Sequence, residues 1–172
     1  RYEIQLFDSW NVKNPKHADC GGIYQRWNEE LPDDQKGFDG IAPQVNASKA
    51  PGLWQKVSAA FRAPRFDESG SKVENARFNH IYLNGKLIHE NIELTGPTRA
   101  SADDNESTMG KFMIQGDHGQ VAIRNIQYKA YDFTKKLALT DVTYNYYESV
   151  FDTLPDFSKL IAVDSGSSEF FT

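Results

Sequence analysis

The stretch Ala76–Leu94, ARFNHIYLNGKLIHENIEL, holds two alternating runs joined by Asn84-Gly85. Apolar residues recurring every second position mark a strand with one covered face. Asn-Gly supplies the two positive-φ positions of a type I′ turn, whose twist matches the strands it joins. The stretch therefore predicts an antiparallel hairpin in which His80 shares a face with Phe78 and Tyr82. On that face His80 reads as a core or rim histidine rather than as half of a metal pair with His89.

Working outward, LWQKVSAAFRAPRF predicts a further strand with Val57, Ala59 and Phe61 on one face. Pro64 closes it, because proline cannot donate to a ladder, and Trp54 at its head reads as core. Downstream, KFMIQ and QVAIRNIQYKAY flank Gly116–Gly119 and predict a second hairpin. Upstream, RYEIQLFDSW alternates from its first residues, with Tyr2, Ile4 and Leu6 against Glu3, Gln5 and Phe7, and Gly22-Ile23-Tyr24 reads as a short strand. Polar loops from Asn28 to Gln44 and from Thr95 to Gly110 separate these elements; loops of that length are usually functional or disordered. No strong amphipathic helix, repeat or low-complexity segment precedes residue 132. The pattern is all-β across residues 1–131. From residue 132 to 172 aromatics recur without clean alternation, which reads as a linker or the start of a following domain, or as a tail wrapping the first.

Composition bounds the function. Eleven Phe, eight Tyr and three Trp suit a pleated surface, and 39% hydrophobic content suits a sandwich whose outer faces are solvated. A net charge of -5, with Lys and Arg nowhere concentrated, argues against nucleic acid as partner. No run approaches the roughly 18 apolar residues of a membrane span. Cys20 is alone, so no internal disulfide staples the fold. The chain opens inside a strand with neither a start Met nor a signal peptide, and material before Arg1 is expected to be missing.

Five segments, YEIQLFDS, ADCGGIY, PQVNASKAPGLWQKVSAAFRAPRFD, NGKLIHENIELTGPT and IQGDHGQVAIRNIQYK, follow one another over about residues 1–130. In this order they resemble the 3-keto-disaccharide hydrolase domain family. The resemblance implies a jelly-roll β-sandwich of the concanavalin A-like lectin/glucanase type, binding a glycan on its concave sheet and cleaving glycosides that carry a 3-keto group. It also implies strands before YEIQ that this chain lacks, so the sandwich is expected to be incomplete at its N-terminus, with another chain supplying those strands or with cleavage having removed them. A bacterial periplasmic, cell-surface or secreted location is expected with it.

Several residues carry chemistry suited to a sugar. Glu3 and Gln5 point the same way from one strand, with Asp8 where it leaves the sheet; they form either a solvated face or a row of acceptors and donors for adjacent hydroxyls. In QGDHG the glycines permit a tight turn and close approach of a ligand. There His118 is a candidate general acid or base, and Asp117 would orient it or help hold a divalent ion. Gln115 precedes the turn as a candidate sugar contact. Arg124 follows with Ala122 and Ile126, and needs a carboxylate or a substrate oxygen as partner. Glu3 is the second candidate base. Trp10 and Trp27 flank loops and would offer stacking faces. A His17-Asp19-Cys20 metal site lacks further ligands nearby. Asn46-Ala47-Ser48 and Asn105-Glu106-Ser107 match the glycosylation acceptor pattern, which chance also produces. Three functions compete: cleavage of a 3-keto-glycoside, glycan binding without cleavage, and a structural sandwich within a larger assembly.

Overall fold

The computed structural model describes residues 1–101, 105–116, 119, 121–130, 142–146, 159 and 164–168. The chain divides into two compact units, Arg1–Gln115 and Gly116–Thr172. Every strand pair is antiparallel, and the described residues contain no α-helix. The protein is all-β, as the alternation predicts, and fits a β-sandwich.

The first unit is built on a three-stranded sheet, β3 (Val57–Arg62), β6 (Ala76–Leu83) and β7 (Lys86–Leu94), with β6 central. Asn84 and Gly85 close β6 onto β7 at φ 54° and 82°. Asn84 does more than turn the chain. Its Oδ1 accepts from the Lys56 amide at 2.9 Å, and its Nδ2 donates to the Ala47 carbonyl at 2.8 Å. One side chain thus ties the hairpin to the approach to β3 and to the loop before it. Two short pairs flank the sheet: β1 (Arg26–Trp27) with β2 (Gly37–Phe38), and β4 (Arg65–Phe66) with β5 (Lys72–Glu74). The first of these folds part of the predicted long polar loop into a hairpin.

The predicted strand face of β6 is corrected by a bulge. Phe61 pairs with Phe78 but Ala60 with His80, so Asn79 has no partner on β3. On β7 the extra residue is Ile88, since Ile81 pairs with His89 and Tyr82 with Leu87. One extra residue reverses the side-chain direction beyond it. Ala76, Phe78, Ile81 and Leu83 are therefore buried, while His80 and Tyr82 lie on the outer face, ring against ring at 5.4 Å. His89 pairs with Ile81 and is buried at 1% exposure. The two histidines face opposite sides of the sheet, which removes the metal-pair reading.

Against this sheet pack the first residues of the chain. Gln5 donates to the Gly22 carbonyl at 2.8 Å and accepts from the Gly21 amide at 2.7 Å, while the Tyr24 amide donates to Glu3. Ile4 bridges to Ile23, and Ile23 to Ile41. The alternation of the first segment is expressed as this pairing rather than as a long strand. Ile23 joins Cys20, Phe78, Ile81, Leu83 and Ile88 in the core, with Tyr2, Ile4 and Ile41 packed on it. Trp54, expected in the core, is 48% exposed, since it precedes β3 and has no sheet neighbour to place it inward.

In the second unit β8 (Val142–Tyr146) pairs with β9 (Asp164–Ser168), Tyr144 opposite Gly166. The expected hairpin around Gly116–Gly119 is not formed as a ladder among the described residues: 111–116 and 121–130 carry no strand. Asn125 sits at φ 56°, which interrupts an extended run. Val121, Ile123 and Ile126 are exposed. Alternation makes a segment eligible for a sheet without supplying its partner.

Candidate functional site

Ile4 and Ile23 turn into the core, so their neighbours turn away from it. Glu3, Gln5 and Tyr24 consequently share the opposite side of the paired segments. His17 joins them from the loop before: its ring lies 5.9 Å from that of Tyr24, and it packs so tightly on Gly40 that a β-carbon there would fall 2.6 Å from the ring. Carboxylate, amide, phenol and imidazole thus meet on one polar face. Sequence reading set aside a metal site at His17 for want of further ligands, and gave Tyr24 no role. The signal for both lay in the Gly21-Gly22 pair, which lets the loop fold back beside Ile23.

Glu3 is held rather than solvated. Its Oε2 lies 2.9 Å from Nη2 of Arg1, and its side chain is 12% exposed. Arg1 Nε is buried with no hydrogen bond among the described residues, and Glu3 Oε2, also buried, has the Arg1 ion pair as its polar contact. The Glu3 amide donates to Thr98 Oγ1 at 3.1 Å, which fixes the backbone beneath the carboxylate.

Tyr2, on the core side, donates to Glu106, which also holds Lys72 at 2.6 Å. Burial, and then the bond to Glu106, keep the Tyr2 phenol well above its ordinary range. The cluster anchors the polar 95–110 loop.

The other predicted residues are distributed as follows. Asp8 is exposed and caps its own turn, accepting from the Trp10 amide at 3.2 Å. Trp10 is 51% exposed. Trp27 is already covered: the Arg99 guanidinium lies 3.8 Å from its ring centre, and its indole N–H donates to Glu29 at 2.8 Å. That bond and Lys36 hold the Glu29 carboxyl below its usual range. Gln115 and Arg124 are exposed, in the first and second unit respectively. Asp117 and His118 lie outside the described residues.

His17, Asp19 and Cys20 do not converge. Asp19 accepts from Ser9 Oγ and the Lys16 amide, and Cys20 is buried in the core. Among the described residues no three His, Cys, Asp or Glu side chains could hold a metal ion. Asn46 of the first glycosylation pattern spends its amide on the Ser9 and Val12 carbonyls, at 2.6 and 2.9 Å. Glycan attachment would leave that nitrogen one hydrogen and so remove at least one of these bonds.

The family of this antiparallel β fold makes it a carbohydrate-active domain. Residues 1–129 match the 3-keto-alpha-glucoside-1,2-lyase-like domain, and the chain belongs to that family. No curated protein and no solved structure matches the chain. No helix among the described residues is long and apolar enough to cross a membrane.

Proposed function

We propose that the chain cleaves glycosides whose sugar carries a 3-keto group, by elimination followed by hydration. The family match over residues 1–129 carries this reading, and the buried Glu3 carboxylate on the first segment supports it. A ketone at C3 acidifies the C2 proton. A base removes that proton, the electrons form an enolate toward the C3 oxygen, and their collapse expels the C1 substituent. Water then adds at C1. His118 is the first candidate for the base and Glu3 the second, Asp117 orients His118, and Arg124 counters the enolate charge. Gln5, Asp8 and Gln115 bind hydroxyls, and Trp10 stacks on the sugar's C–H face. A jelly-roll topology and work in the bacterial periplasm, at the cell surface or in the medium belong to the same proposal.

The test is release of the leaving group from a 3-keto-glucoside. His118→Ala should lower turnover by about 10² or more, the usual scale for loss of general acid–base catalysis, with affinity for an unreactive analogue little changed. Full activity in both His118→Ala and Glu3→Gln would remove both candidate bases. The exposed Trp10 favours a second reading, glycan binding without cleavage. On that reading no turnover is found, and Trp10→Ala weakens glycan affinity.

A further inference from the structure

An arginine–glutamate cluster like that of Arg1 and Glu3 recurs at a second place. Glu74 Oε2 lies 3.2 Å from Arg62 Nη2 and 3.6 Å from Arg65 Nε. Yet Glu74 Oε2 and Arg62 Nε are buried atoms with no hydrogen bond among the described residues. Both side chains remain partly exposed, at 27% for Arg62 and 40% for Glu74, so a small rotation presents either group to a ligand. They line a polar cleft of about 410 Å³ together with Val73, Asn75, Arg77 and Glu93. That volume falls within the range of small-molecule sites, roughly 300–1,000 Å³.

Register explains why the groups converge. Arg62, Arg77 and Glu93 form one row across β3, β6 and β7. The adjacent row, Phe61, Phe78 and Ile92, faces the core, where Tyr2 meets Phe61 at 5.3 Å between ring centres. The Arg62 row therefore faces the other way. The β4–β5 hairpin brings Glu74 and Asn75 beside it.

The charges say what enters. Arg62 and Arg65 meet Glu74, Arg77 meets Glu93 at 3.0 Å, and Lys72 meets Glu106 at 2.6 Å. Each cation already faces a carboxylate, so the cleft has little pull on an anion. What it offers is donors and acceptors alternating at short range: guanidinium, carboxylate, amide. A vicinal diol is the complementary group, because each hydroxyl donates once and accepts as well. Val73, 59% exposed, supplies apolar surface for a ring C–H face.

We propose that this cleft is a binding site for a neutral pyranose unit, distinct from the polar face of Glu3 and independent of any cleavage there. Glu74 accepts from one hydroxyl, Arg62 donates to its neighbour, and Asn75 and Arg77 frame the ring.

The experiment is a titration of the whole chain with methyl α-glucoside, which has no keto group, followed by amide nitrogen–proton correlation spectra. The amides of Val73, Asn75 and Arg77 should shift and saturate together. Glu74→Gln and, separately, Arg77→Met should each weaken this binding tenfold or more, while turnover of a 3-keto-glucoside stays at its original rate. A shift confined to Glu3, Gln5 and Asp8 would overturn the proposal, as would both variants binding like the original chain. So would displacement of the glucoside by glucuronate at lower concentration, since charge would then be recognised rather than the diol. Loss of 3-keto-glucoside turnover in the chain itself would count against the cleavage reading and leave this one standing.

Discussion

Gly21 joins the candidate site to the core, and replacing it by alanine tests that joint. Its φ is 84°, a conformation that costs an L residue about 1–2 kcal/mol. A β-carbon there would also lie 2.5 Å from Cδ1 of Ile88, whose side chain is fully buried. Overpacking of this kind costs about 1–3 kcal/mol. Gly21→Ala should therefore destabilise the fold by about 2–5 kcal/mol, a large part of the roughly 5–15 kcal/mol of an ordinary domain. Urea unfolding followed by circular dichroism measures it. Ile88→Val removes the clashing methyl but not the backbone strain. Alone it should cost about 0.5–1.5 kcal/mol; in the Gly21→Ala background it should cost less or restore stability, a coupling of about 1–2 kcal/mol. A Gly21→Ala chain within about 0.5 kcal/mol of the original, or strictly additive variants, would refute the assigned packing.

His89 predicts a pH dependence. Burial lowers its pKa from 6.5, only partly opposed by the bond its Nε2–H donates to the Gly21 carbonyl at 2.7 Å. The unfolded chain then binds the proton more readily, so this contribution is complete above about 6.5 and is lost as pH falls through the folded value. Stability measured between pH 8 and 5 should decline on acidification, and His89→Gln should flatten that part of the curve. Asn84→Ala should cost about 1–3 kcal/mol, combining positive φ with hydrogen bonds lost to Lys56 and Ala47; faster hydrogen exchange at the Lys56 amide checks it.

The alternation in Ala76–Leu94 and the Asn84-Gly85 turn were enough to establish the central hairpin, because both are local properties of the backbone. The same logic identified β3, Val57–Arg62. It failed at His80, where the extra residue Asn79 exchanges the faces; a bulge is decided by the partner strand, and β6 alone carries no sign of it. Alternation also predicted strands at 111–116 and 121–130, where the described residues make no ladder. A strand needs an edge to pair with, and that is a property of the assembled sheet. Glu3 and Gln5 were legible as a same-side pair from their spacing. The placing of Tyr24 and His17 beside them was not, because it depends on the fold-back at Gly21-Gly22 and the Ile4–Ile23–Ile41 row. Residue types and local turns are written in the sequence; which polar groups end up open to a ligand was settled only by long-range packing.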